Sequence, residues 1–185
     1  MRNKQRNYIF FIALMTAFST SLYFLEMFLP KPMLFIKIGL SNIVVLVLVF
    51  SGLYKVSFFV AILKSIMGAF FTGLIFSPTF LLSFFGGVMS CGFMVLFYHL
   101  LNNKNNTSRI SIIGLSVVGA FIHLTTQLIV VRLFIIQSNS VFALYPVIAI
   151  ISVLTGVLTG LAGFYVLKYI NIRKYHDDIV VLCKK

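Results

Sequence analysis

Six polar or ionisable side chains stand inside segments that are otherwise apolar, and these residues have the means to do chemistry. They are Glu26, Lys37, Asn42, Lys64, His123 and Gln127. Two lysines and a histidine that can take up a proton outweigh one carboxylate, so a ligand held by this set would be anionic or polar. His123 and Gln127 are one helical turn apart and therefore share a face of a helix. We expect these residues to line a polar binding pocket.

The stretch FIKIGLSN supplies three residues suited to such a pocket. Lys37 would place charge at its mouth, Gly39 would permit close approach of the backbone, and Asn42 offers both donors and an acceptor. Other arrangements fit the same residues. Lys64 could instead bond Glu26 or a free backbone carbonyl, Lys37 could lie at lipid headgroups, and a single intramembrane histidine is often a hydrogen-bond partner between helices.

The same inventory argues against catalysis by this chain. Apart from Glu26, the only carboxylates are Asp177 and Asp178, too few for the acidic clusters that hold magnesium on diphosphates. A G-x-x-x-x-G-K-[ST] phosphate-binding loop is absent from the sequence. Cys91 and Cys183 have no metal-ligand spacing around them. We expect no catalytic residue, no metal and no covalently bound cofactor.

The elements that position these residues must be membrane helices. The chain is 61% hydrophobic and 10% charged, with a mean hydropathy of +1.09, and its apolar runs are continuous rather than alternating. This pattern predicts an all-α integral membrane protein with six transmembrane helices, at about 8–29, 39–53, 56–77, 79–101, 110–136 and 143–169. Residues 1–172 would form the membrane domain and residues 173–185 a short charged tail. The second span looks short and is entered through Pro30-Lys31-Pro32.

The distribution of lysine and arginine predicts the orientation. With the N-terminus in the cytoplasm, only Lys31 and Lys37 among the basic residues between spans lie outside, as the positive-inside rule requires. Both termini should then be cytoplasmic in a multi-pass protein of the cell membrane. The net charge of +12 is explained by this topology and by anionic lipids, so no nucleic-acid partner is expected.

One face of the first span is suited to contact with another helix. Ala13 and Ala17 form a small-xxx-small pair, and Glu26 lies on the opposite side of the helix. A carboxylate is expensive in lipid and should face the bundle, which would leave the alanine face free for a partner helix. The spacing is equally compatible with packing of both alanines inside the monomer.

Several segments together resemble a known family. In order, they are YFLEMFLP, IKIGLSNIVVLVLV, LKSIMGAFFTG, FLLSFFGGVMS and GLSVVGAFIHLTTQL, and they are similar to the family described as Gx transporters or heptaprenyl diphosphate synthase component I, over about residues 18–169. The family patterns match Lys37, Gly39, Asn42, His123 and Gln127. Two positions depart from them, because Lys64 stands in place of arginine and Leu124 in place of asparagine.

The resemblance extends in architecture to the substrate-binding S components of energy-coupling factor (ECF) transporters. It implies an S-component-like bundle that binds a small vitamin or cofactor precursor, with a flavin or an isoprenoid or quinone precursor as examples. Ala13 and Ala17 would contact an ECF-type transmembrane coupling protein, and ATP would be used only by partner ATPases. The alternative is a membrane accessory subunit of a polyprenyl (heptaprenyl) diphosphate synthase. A purely structural assembly factor would need none of the inward polar residues.

Overall fold

The computed structural model describes residues 2–28, 39–101 and 110–169, and this part of the chain is helical without strands. The helices are α1 Arg2–Phe28, α2 Asn42–Phe50, α3 Tyr54–Phe71, α4 Pro78–Leu101, α5 Ile112–Phe134 and α6 Tyr145–Tyr169, with a 3-10 turn at Asn139–Leu144 before α6. The all-α prediction is confirmed for these ranges. Lys37 and the tail at 173–185 lie outside the described residues.

Five of the described helices are long and apolar enough to cross a membrane, as a multi-pass membrane protein requires. The segment expected as the second span differs. Helix α2 has 9 residues, about 14 Å at 1.5 Å per residue, against a hydrocarbon core of about 30 Å. The six-span count is therefore not confirmed by the described residues, and α2 is a short helix inside the bundle.

Helix α2 lies at the centre of the fold. The long helices follow one another in the order α1, α3, α4, α5, α6, and each of them also contacts α2. Every residue from Ile43 to Val49 is buried, because the run IVVLVLV is apolar on all sides and suits a helix surrounded by others. A turn at residues 39–41 begins α2, with Gly39 at a φ of +83°, a conformation that glycine adopts without steric cost.

Small residues bring α5 and α6 close together. A Cβ added to Gly156 would lie 2.6 Å from the Cα of Val117, and one added to Gly160 would lie 2.9 Å from the Cα of Ile113. Gly73 takes no part in such close packing. That residue follows α3 at a φ of +68°, and nothing lies within 4 Å of a Cβ built on it, because α3 ends at Phe71.

We expect Gly156→Ala to lower the free energy of unfolding by about 1–3 kcal/mol, since its new methyl group meets backbone that cannot rotate away. Gly92 provides the control, because a Cβ added there meets nothing within 4 Å. Gly92→Ala should be neutral or stabilising by up to about 1 kcal/mol. Thermal unfolding in detergent measures both, and equal stability of the two variants would contradict this close packing of α5 on α6.

Candidate functional site

Five of the predicted polar residues meet beside the start of α2, and we call this set the polar centre. Its members are Glu26 from α1, Asn42 from α2, Lys64 from α3, and His123 and Gln127 from α5. Asn42 is half-buried and the other four are buried. The structure brings these five side chains together, while Lys37 lies outside the described residues. That they bind a ligand stays a prediction.

Lys64 is the member of the polar centre that most requires hydrogen-bond acceptors. Its side chain is 3% exposed, and an ammonium group has three donors and no acceptor. The Nζ atom donates to the Oγ of Ser41 at 3.3 Å and to the Oδ1 of Asn42. Both acceptors stand at the beginning of α2, so the interaction joins α3 to that helix near the middle of the bundle.

Glu26 holds the turn that precedes α2. One of its carboxylate oxygens accepts the backbone N–H of Gly39 at 2.5 Å. From the same helix, the Oγ of Ser19 donates to the carbonyl oxygen of Ser41 at 2.8 Å. Two residues of α1 thus fix the turn from both ends, and the carboxylate faces the interior as its position in the sequence predicts.

The contacts of Asn42, His123 and Gln127 indicate which atom of each side chain donates a hydrogen bond and which accepts one. Because Lys64 must donate to Asn42 Oδ1, the Asn42 Nδ2 group donates to His123 Nδ1, at 3.4 Å. The proton of a neutral imidazole is then on Nε2, which lies 3.1 Å from the Gln127 amide and requires its oxygen as acceptor. Gln127 Oε1 has no hydrogen-bond partner. If the amide is rotated so that its oxygen accepts from His123, its NH₂ group takes the position without a partner. Gln127 therefore keeps one buried polar atom available for another group.

Gly86 of α4 makes room for the polar centre, while a Cβ on the neighbouring Gly87 would lie at ordinary van der Waals distance from Lys64. A Cβ on Gly86 would lie 2.9 Å from Cε1 of His123 and 3.3 Å from Cγ of Gln127, and one on Gly87 would lie 3.8 Å from Cε of Lys64. This face of α4 lies against side chains of the polar centre, a role that the spacing of small residues in the sequence alone does not reveal.

Two small cavities adjoin the polar centre. The outer cavity, about 10 Å³, is bordered by described residues of α1, α3 and α4 that include Glu26 and Lys64, and the inner cavity, about 20 Å³, by residues of α4, α5 and α6. Gly39, Asn42 and His123 line both. Each volume is about that of one water molecule, so a larger ligand requires the site to widen.

Other predicted features are placed as follows. Ala13 and Ala17 are exposed on α1, while Thr16, Ser19 and Thr20 on the opposite side of the helix are buried. Packing of both alanines inside the monomer is therefore wrong for the described structure.

Among the described residues, no three His, Cys, Asp or Glu side chains form a group that could hold a metal ion. Ser41, which the sequence analysis did not select, is a direct partner of Lys64 and stands next to Asn42 in the IKIGLSN segment.

Removing the Glu26 carboxylate should destabilise the turn before α2. In Glu26→Ala the buried N–H of Gly39 loses its acceptor, and we expect a loss of about 1–3 kcal/mol in the free energy of unfolding. Glu26→Gln keeps an oxygen in place and should lose clearly less. Thermal unfolding of both variants in detergent checks this, and identical losses would argue against the Glu26–Gly39 hydrogen bond.

Comparison with known proteins identifies the family. The sequence model of heptaprenyl diphosphate synthase component I matches residues 15–166, a range that includes all five residues of the polar centre. No curated protein and no solved structure matches the chain. The family match covers most of the sequence, and the chain belongs to the heptaprenyl diphosphate synthase component I family.

Proposed function

We propose that this chain is a non-catalytic membrane subunit that binds an isoprenoid diphosphate at the polar centre and serves a partner synthase. The observation that carries the proposal is the buried Lys64 ammonium, which lies beside a cavity and has oxygens of Ser41 and Asn42 among its acceptors. A buried ammonium that borders a cavity inside an apolar bundle favours an anion in that cavity.

The start of α2 adds to this preference. The N-terminal end of a helix carries partial positive charge, and α2 begins at Asn42, beside Lys64. Glu26 contributes the opposing charge but is directed at the backbone of Gly39. A diphosphate group has the charge and the acceptor oxygens to engage the Lys64 ammonium and the Asn42 amide together.

The family description supports the isoprenoid class and a partner chain. Its name refers to one component of a heptaprenyl diphosphate synthase, and the chain offers three acidic residues in all. Metal-assisted transfer of a diphosphate requires several carboxylates around magnesium. In this proposal a partner subunit catalyses the transfer reaction, and this chain binds a diphosphate in the membrane.

Loss of the Lys64 charge should weaken diphosphate binding. For Lys64→Met we expect the affinity for geranyl diphosphate to fall about ten- to a hundredfold, as for a lost charge-assisted hydrogen bond. Lys55→Met is the matched control, since Lys55 is exposed on the same helix and its loss should leave the affinity unchanged. Calorimetric titration of purified protein measures both.

Two further results complete this test. Lys64→Arg keeps the charge and should bind more tightly than Lys64→Met, which separates loss of the cation from general loss of packing. Mass spectrometry of small molecules released from gently purified protein should find an isoprenoid diphosphate. If wild-type protein does not bind geranyl diphosphate, or if Lys64→Met binds it as wild type does, the proposal fails.

A second function is favoured by the exposed alanine face of α1. An S-component-like subunit of a transporter would use Ala13 and Ala17 to contact a coupling protein and would take up a small anionic vitamin or cofactor precursor. Both alanines are exposed, and small residues allow close approach of a second membrane helix. In this function separate ATPases would supply the energy.

Replacing both Ala13 and Ala17 by leucine separates these functions. If the chain is an uptake subunit, the double variant should lose transport into cells while keeping its affinity for the ligand, because the face is remote from the polar centre. A double replacement at Phe10 and Leu14, exposed large residues on the same helix, by alanine should have a weaker effect. Unchanged uptake in the Ala13 and Ala17 variant would contradict the transporter hypothesis.

A further inference from the structure

The inner cavity continues beyond the polar centre toward a part of the bundle that the proposed function does not use. Asn42 and His123 stand on its outer side, and its remaining walls combine apolar side chains with hydroxyl groups. The described lining is completed by Leu46, Ser90, Met94, Ser116, Gly119, Ala120, Leu124, Thr155 and Thr159. The cavity therefore has a cationic neighbour at one end and a largely neutral surface at the other.

The hydroxyl groups of this wall donate their protons to other groups of the protein. Ser90 donates to the carbonyl oxygen of Gly119 at 2.7 Å, and Thr159 donates to that of Thr155 at 2.8 Å. Ser116 lies 2.8 Å from the Thr159 hydroxyl and must be the donor in that pair. These hydroxyl oxygens can therefore only accept hydrogen bonds from a ligand. The inner wall suits hydrogen-bond donors or apolar groups and offers no hydroxyl donor to an anion.

Met94 closes the inner cavity against the backbone of α5. It is 2% exposed, and a Cβ on Gly119 would lie 2.6 Å from its Sδ atom, so the side chain occupies a notch that glycine leaves open. Methionine is unbranched and has three rotatable bonds, which allows it to change shape at low cost. Its neighbours on this wall, Ser90 and Ala120, are small.

The outer and inner cavities share three lining residues, Gly39, Asn42 and His123. The Asn42 Nδ2 to His123 Nδ1 distance of 3.4 Å is longer than a usual hydrogen bond. A ligand that displaces this contact would connect the two cavities, and a ligand larger than a water molecule would also widen them.

We propose that the two cavities are halves of one ligand chamber, with the anionic group at Lys64 in the outer half, the non-ionic end of the ligand in the inner half, and Met94 as the floor that limits ligand length. The proposal deepens the proposed function and rests on it for the anionic end. It assigns the ligand to the amphipathic anions whose neutral end is apolar or donates hydrogen bonds. Met94 is thus a residue that determines specificity.

Substituted cysteines test the chamber without knowledge of the ligand. In a Cys183→Ser background, the remaining Cys91 is buried and supplies the blank. Met94→Cys and Ala120→Cys place thiols in the inner half, and Met89→Cys is the control on the same helix as Met94, on an exposed face. The probe is the water-soluble anionic reagent 2-sulfonatoethyl methanethiosulfonate, and intact-protein mass spectrometry follows its addition with and without geranyl diphosphate.

We expect the two inner-half thiols to react at least about tenfold faster than the control thiol. Thiol modification requires access from water, and the exposed face of an apolar membrane helix is covered by detergent, whereas a polar chamber admits water. Slowing of both reactions by geranyl diphosphate supports the chamber and the diphosphate ligand together. Fast reaction without protection supports the chamber and overturns the diphosphate assignment. If neither inner-half thiol reacts faster than the control thiol, the chamber is overturned whatever the ligand, and Ala120→Cys gives this answer even where Met94→Cys does not fold.

Discussion

A lysine ammonium inside an apolar helical bundle must find acceptors, and the arrangement of the polar centre follows from that constraint. Lys64 is buried on α3, where an unpaired charge would cost at least a few kcal/mol. Its acceptors come from Ser41 and Asn42, which are available because α2 begins inside the bundle. A helix that crossed the whole membrane would present apolar side chains at this depth. The short α2 is therefore the element that makes a buried cation tolerable.

An internal helix start has its own requirements, and α1 meets them. The first turn of a helix leaves backbone N–H groups without helical partners, and none can remain unpaired in hydrocarbon. The turn bonds from Asn42 to Gly39 and from Ile43 to Leu40 pair two of them, while Glu26 accepts the Gly39 N–H. A carboxylate near a helix N-terminus is also favourable electrostatically. The one described acidic residue and the described buried lysine thus stabilise opposite sides of the same turn.

The sequence predicts the members of the polar centre because burial of polar groups in a membrane is costly. Glu26, Lys64 and His123 have little reason to stand in apolar segments unless they face one another, and hydropathy alone locates the long helices. The length of α2 is harder to predict, since IVVLVLV is as apolar as a span, and its end depends on the turn at Ser51 and Gly52. The role of Gly86 depends on which helix packs against α4 at that point. The spacing of residues within one segment does not give this information.

Helix α1 links the exterior of the bundle to the polar centre. Its exposed side carries Ala13 and Ala17, and its buried side carries Ser19 and Glu26, which bond the turn before α2. A partner helix that shifts or tilts α1 would act on this turn through two hydrogen bonds, and the turn adjoins the acceptors of Lys64. The reverse holds for a ligand, because reciprocal coupling is required thermodynamically. Helix α1 is thus a described element that reaches from the exposed surface of the bundle to the polar centre.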